Sequence, residues 1–233
     1  MLVRIEVHVD TLCPWCYIQK KSLDAAVARY QAKYPAMEFE LLYRPFYLYP
    51  FLHTTCPKKT LYETAVGPEN FPAWRAKILS AASPHGLTFS SLTTGTTGPS
   101  RPSHTLLSLA LQQRGPAAQS ALLDALLQGH FELGKDIFDE AWLAEVATGT
   151  GTGTTTETEG GPGVGLDAES VARALASPEA AREVDDEAAV ARAERAVEAV
   201  PCVTMQGRYR VGGYQDAKVF EDLFEKIYRE ELS

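Results

Sequence analysis

The chain has 233 residues, 45% hydrophobic and 22% charged, with a formal net charge of -8, a profile that lets a globular protein bury its own core without disulfide staples. No run approaches the roughly 18 apolar residues of a membrane span, which excludes a membrane partner, and the acidic balance excludes the basic face that nucleic acid needs. The opening MLVRIEVHVD shows no basic start followed by an apolar block, so the expected compartment is cytoplasmic, where four cysteines serve catalysis, redox or metal chemistry rather than a static disulfide framework.

From Leu2 to Val9 the β-branched residues Val3, Ile5, Val7 and Val9 alternate, the period of a strand. Between Pro14 and about Tyr34 the apolar positions Tyr17, Leu23, Ala26, Val27 and Tyr30 fall at helical spacing, with Pro14 in the first turn where its missing N–H costs nothing. MEFELLYRPF alternates again and ends at Pro45, so the first part of the chain reads as β-α-β, the start of a parallel sheet with a crossover helix.

Helix-period segments follow near Lys58 to Val66, Phe71 to Ser83, Ser103 to Arg114, Pro116 to Leu133 and Asp139 to Val146. Residues 148–165 are a low-complexity Gly/Thr tract with no apolar face, which predicts a flexible surface loop. Another helix is expected over Ser177 to Val197, with Ser177 as N-cap, Pro178 next, and Glu179 and Glu183 in the early turns. The end reads as strand Cys202 to Met205, a Gln206-Gly207 turn, strand Tyr209 to Val211, a glycine turn and a helix from about Asp216. Sheet-forming pieces at both ends of a long helical stretch predict an α/β fold in which residues 1–54 and 198–233 form one domain and residues 55–197 an inserted helical one.

Cys13 and Cys16 flank Pro14 and Trp15 where the first strand turns into a helix. Residues three apart on a helix share a face, so the two sulfurs can bond. Helix N-termini and C-x-x-C pairs favour the thiolate, the nucleophilic form of cysteine. A zinc site would need further ligands, and the chain has no second C-x-x-C. Two inert core thiols or a permanent disulfide are the remaining readings. Val200-Pro201 stands at the head of a predicted strand, where proline needs an edge, a bulge or a cis bond.

DTLCPWCYIQKK, RPFYLYP, ALLQGHFELGKDIFDEAWLAEVA and VPCVTMQGRYRVGGYQDAKVFEDL together resemble, in this order, the DsbA-like, FrnE-type thioredoxin-fold family. The resemblance implies a thioredoxin-like domain interrupted by a helical one, and a cis-proline loop at Val200-Pro201 facing the cysteine pair. It implies a thiol-disulfide oxidoreductase with a redox-active disulfide, in which Cys13 is the exposed attacking thiolate and Cys16 the resolving thiol. Pro14 and Trp15 would set redox poise and present an apolar surface, and the Val200 backbone would pair with an extended substrate. The substrate would be a thiol or disulfide, protein or small molecule, with no tightly bound cofactor; oligomeric state is left open.

The same fold is similar to the kappa-class glutathione transferases and the hydroxychromene-carboxylate isomerases, which offers an alternative: a glutathione-dependent transferase or isomerase acting on a small aromatic metabolite. Gly213, Tyr214 and Gln215 at the start of the last helix are the candidate anion or glutathione site, against ordinary helix capping. A non-enzymatic scaffold or metal-binding protein is the third reading. The SHTLLSLAL segment departs from the family pattern, with His104 a candidate for the substrate cleft or else a surface or capping residue. Cys202 is either a third redox thiol or a small buried hydrophobe, and the role of Cys56 is open.

Overall fold

The structure is a computed structural model that describes residues 1–149 and 164–231. Strand β1 (Leu2–Val9) leads through helix α1 (Pro14–Lys33) into β2 (Glu38–Pro45), and β1 and β2 pair in parallel from Leu2↔Glu38 to Val9↔Pro45. At the other end of the chain β5 (Cys202–Met205) and β6 (Tyr209–Gly212) form a hairpin, followed by α8 (Ala217–Glu231). Strand β5 pairs antiparallel with β1 from Ile5↔Met205 to His8↔Cys202, which gives one sheet in the order β2-β1-β5-β6.

Alternation decides which side of that sheet is buried. Val3, Ile5, Val7 and Val9 are at most 2% exposed. Phe39, in register with Val3, meets the Phe224 ring of α8 at 4.8 Å and the Tyr30 ring of α1 at 6.4 Å. Helices α1 and α8 therefore cover this face, and the parallel crossover leaves the start of α1 at one end of the central strand.

Between β2 and β5 the chain is helical: α2 (Lys58–Val66), α3 (Phe71–Ala82), α4 (Arg101–Phe131), α5 (Glu140–Thr148), α6 (Ala168–Ala176) and α7 (Pro178–Ala193), with the two-residue strands β3 (Cys56–Pro57) and β4 (Thr96–Thr97) paired to each other. The two helices expected on either side of residue 115 are arms of α4, which breaks at Gly115 (φ 82°, ψ -174°) just before Pro116. Leu106, Leu107, Ala110, Leu122, Leu123, Leu126, Leu127 and Phe131 give this arm pair a dry interior, each at most 2% exposed.

Three segments differ most from expectation. Helix α7 stops at Ala193 rather than Val197 because Ala196 turns to φ 49° and the Val197 N–H folds back onto the Ala191 carbonyl at 3.0 Å. Helix α6 was not expected; the Asp167 carboxylate accepts the Ser170 N–H at 2.8 Å, and Val171 is its only buried side chain. Of the loop expected over 148–165, Thr148 belongs to α5 and Gly149 closes that helix at φ 75°, and residues 150–163 lie outside the described part.

Candidate active site at the start of the first helix

Asp10 organises the turn out of β1. Its Oδ1 accepts the Leu12 N–H at 3.1 Å, and its backbone carbonyl accepts the Cys13 N–H at 2.9 Å. Cys13, extended at φ -94° and ψ 110°, is the N-cap of α1, and Pro14 opens the helix. The Cys16 N–H then returns to the Cys13 carbonyl at 3.0 Å, so both cysteines sit on one turn. Both thiols are free.

The resemblance placed Cys13 in solvent, and the structure corrects this: Cys13 is 2% exposed and Cys16 1%. The Cys13 Sγ turns inward and donates to the Val200 carbonyl at 3.6 Å, a contact that an outward-facing thiol would forgo. The Cys16 thiol is pushed well above the usual range, first by burial, then by its hydrogen bond with Cys13 and by the Cys13 charge; the Asp10 carboxylate pushes the same way.

The Val200-Pro201 peptide bond is cis. Pro14, Val200 and Pro201 are all buried beside the cysteines. Trp15 is half-buried and stacks on Tyr214, with ring centroids 5.8 Å apart. The Tyr214 hydroxyl donates to Asp216 at 2.9 Å and meets His85 Nε2 at 3.3 Å. Burial, then Asp216, holds its phenol up to about 12.

Two other candidates sit differently from expectation. Gly213 and Gln215 do not present free donors for an anion: the Gly213 N–H is taken by the Pro201 carbonyl at 2.8 Å and the Gln215 N–H by Gln19 Oε1 at 2.8 Å. The buried Ser22 hydroxyl also donates to the Gln215 carbonyl, so this loop is tied to α1 instead of opening a nest. His104 is 3% exposed rather than on the surface. Placed in the first turn of α4, it has Nε2 3.8 Å from Asp10 Oδ1. Cys202 is 4% exposed, opposite His8 in the sheet, and burial raises its thiol. Cys56 is half-buried in β3.

Sequence reasoning missed the residues that hold the turn from below. Besides Asp10, these are Tyr62, whose hydroxyl donates to the Leu12 carbonyl at 2.9 Å, and Tyr49, whose phenol is raised by burial and then by Asp10 and the two nearby thiols Cys13 and Cys56. The one available signal was an aspartate three residues ahead of a cysteine at a strand end, where Asp binds its own backbone two residues on. The Leu48 N–H reaches the second Asp10 oxygen at 2.7 Å. Leu48 also lines a groove of about 490 Å³ together with Tyr49 to Leu52, Leu61 and Arg192.

A β-α-β unit with C-x-x-C at the head of its crossover helix, closed by an antiparallel hairpin that enters through a cis-proline, defines a thioredoxin-type fold. The chain belongs to the DSBA-like thioredoxin domain family, which it matches over residues 4–159. A probable DsbA oxidoreductase from Streptomyces coelicolor is similar at 28% identity and TM-score 0.79, covering 98% of this chain and 91% of that one. A 2-hydroxychromene-2-carboxylate isomerase (16% identity, TM-score 0.63, all of both chains) shares the fold. So does the cytosolic disulfide reductase DsbM from Pseudomonas aeruginosa, solved with GSH (16%, TM-score 0.56, 98% of both). No curated protein matches the sequence. The DsbA-like fold supports a function of the thiol-disulfide oxidoreductase type. Among the described residues no helix is long and apolar enough to cross a membrane.

Proposed function

We propose that the protein is a thiol-disulfide oxidoreductase in which Cys13 attacks a substrate disulfide and Cys16 resolves the mixed disulfide. The observation that carries this reading is the placement of both thiols on the first turn of α1, with the Cys13 Sγ aimed at the Val200 carbonyl beside Pro201. The attacking sulfur thus lies next to backbone that can pair with an extended substrate. Pro14, Trp15, Val200 and Pro201 form the surface around it. Glutathione enters this reading as a thiol co-substrate, and the cytoplasm as the compartment that keeps the pair reduced.

Cys13→Ser should abolish disulfide reduction, measured with insulin and with glutathione disulfide. Cys16→Ser should instead accumulate a covalent adduct on Cys13, seen by mass spectrometry of the intact chain. Wild-type turnover in Cys13→Ser would sink the reading.

A further inference from the structure

We propose that the sheet face turned away from α1 and α8 carries a second small-molecule site, which takes an organic carboxylate on Arg44, Arg195 and His8. The site owes nothing to the cysteine pair and stands whether or not that pair is redox-active. On β1, Arg4, Glu6 and His8 alternate with the core residues Val3, Ile5, Val7 and Val9. Register places Arg44 of β2 on one side of His8 and Cys202 of β5 on the other, with Thr204 of β5 beside Glu6; residues in register share a face. Although the whole chain carries a net charge of -8, this patch is cationic: Arg195, Arg210 and Arg44 act on His8 against Glu6 alone.

Two buried polar atoms are left over in this patch. His8 is 3% exposed, and its Nδ1 has no hydrogen-bond partner among the described residues. Arg44 gives one Nη to Glu187 at 3.1 Å and the other to Glu6 at 3.3 Å, while its buried Nε–H finds no acceptor among them either. A buried polar group left unmatched loses its hydration with nothing in return. A carboxylate answers both atoms and the surplus positive charge together. Arg44 also forms one wall of a groove of about 510 Å³, with Arg4, Glu6, Glu40, Leu42 and Thr204 around it. That is room for a small organic acid, its carbon chain over Leu42 and its carboxylate toward Arg44.

Glu6 marks how the ligand is held. Its two oxygens join Arg44 at 3.3 Å and Arg195 at 3.2 Å, with the side chain 31% exposed. Turning out into the groove, Glu6 frees both guanidinium groups for a carboxylate from solution, which also meets the Arg44 Nε–H and His8 Nδ1–H that Glu6 leaves unmatched. The charged and titratable groups facing His8 are Glu6 from β1, Arg44 from β2, Cys202 from β5, Arg210 from β6, Arg195 from the segment after α7 and, through Arg44, Glu187 of α7. Burial, then Arg195, holds the imidazole low, at about 4. An anion in contact favours the imidazolium, so binding draws a proton onto His8. Because coupling between two ligands is reciprocal, the protein takes the anion more tightly as pH falls.

The test uses trifluoroacetate, a carboxylate that stays ionised throughout the range, titrated into the whole chain at fixed ionic strength and followed by fluorine NMR. Binding should saturate and be about tenfold tighter at pH 5 than at pH 7, within the range that an opposite charge in contact gives. Glu6→Gln, which removes the internal competitor, should bind about tenfold more tightly than wild type at both pH values. His8→Gln should bind as wild type does at pH 7 and lose the gain at pH 5. If that variant misfolds, NMR titration of the His8 imidazole in wild type, with and without trifluoroacetate, reads the same proton uptake as an upward shift of its midpoint. No saturable binding, equal affinity at the two pH values, or weaker binding in Glu6→Gln overturns the proposal.

Discussion

Trp15 joins two parts of the chain: it sits in the first turn of α1 and its ring lies on Tyr214 in the loop before α8. That loop is held independently, by Gln19 and Ser22 on Gln215 and by the Pro201 carbonyl on Gly213. Losing the stack should therefore cost only about 0.5–1.5 kcal/mol, while changing the surface that a substrate meets first. A histidine in its place would set an imidazolium beside the Cys13 sulfur at low pH and stabilise the reduced, thiolate-bearing state. Trp15→His should raise the reduction potential by roughly 30 mV at pH 6, equivalent to about tenfold in the equilibrium, with less effect at pH 8. Equilibration against glutathione at the two pH values measures it, and an unchanged potential at pH 6 would refute the role given to Trp15.

Among the elements, β2 shows how an edge strand is finished without another strand. Gln119 of α4 accepts the Tyr43 N–H at 2.9 Å and donates to the Tyr43 carbonyl at 2.8 Å and to the Leu107 carbonyl at 3.3 Å. One amide thus stands in for a strand neighbour and stitches the broken α4 to the sheet. Gln119→Leu would strand a buried N–H and should cost about 2–3 kcal/mol, read as a lower urea midpoint at unchanged slope; a loss under about 0.5 kcal/mol would show that water replaces the amide. Nothing in the sequence announces such a glutamine, whereas β1, α1, α2 and β5 were legible because their periodicity and their proline and glycine punctuation are local. The cysteine pair and Val200-Pro201 were legible for the same reason. The burial of Cys13, the placing of His104 against Asp10 and the spent donors of Gly213 and Gln215 were not. Each depends on which residues the fold brings across the sheet, and no spacing along the chain encodes that.

For the molecule as a whole, the buried cationic side chains make stability depend on pH in a way that carboxylates alone would not. His8, 3% exposed at the end of β1, is lowered to about 4, first by burial and then by Arg195. His130, wholly buried in α4, is lowered to about 3 by burial and by Lys58. For each, the unfolded chain binds a proton near pH 6.5 that the folded chain refuses, so stability is complete above about pH 6.5 and falls as pH drops toward 4. His8 alone accounts for about 3 kcal/mol at most. Lys58, 0% exposed with its ammonium on the His130 and Ser91 carbonyls, is lowered by burial to about 8. Here the folded chain releases a proton that the unfolded chain keeps up to about pH 10.5, so this group adds stability as pH rises from 8 toward 10. Comparing each variant with wild type in urea titrations removes the contribution of the carboxylates. His8→Gln should flatten the decline between pH 6.5 and 4, and Lys58→Met the rise above pH 8. Parallel curves for variant and wild type across either window would show that the group titrates alike in both states, and that its burial does not set the pH range over which this fold holds.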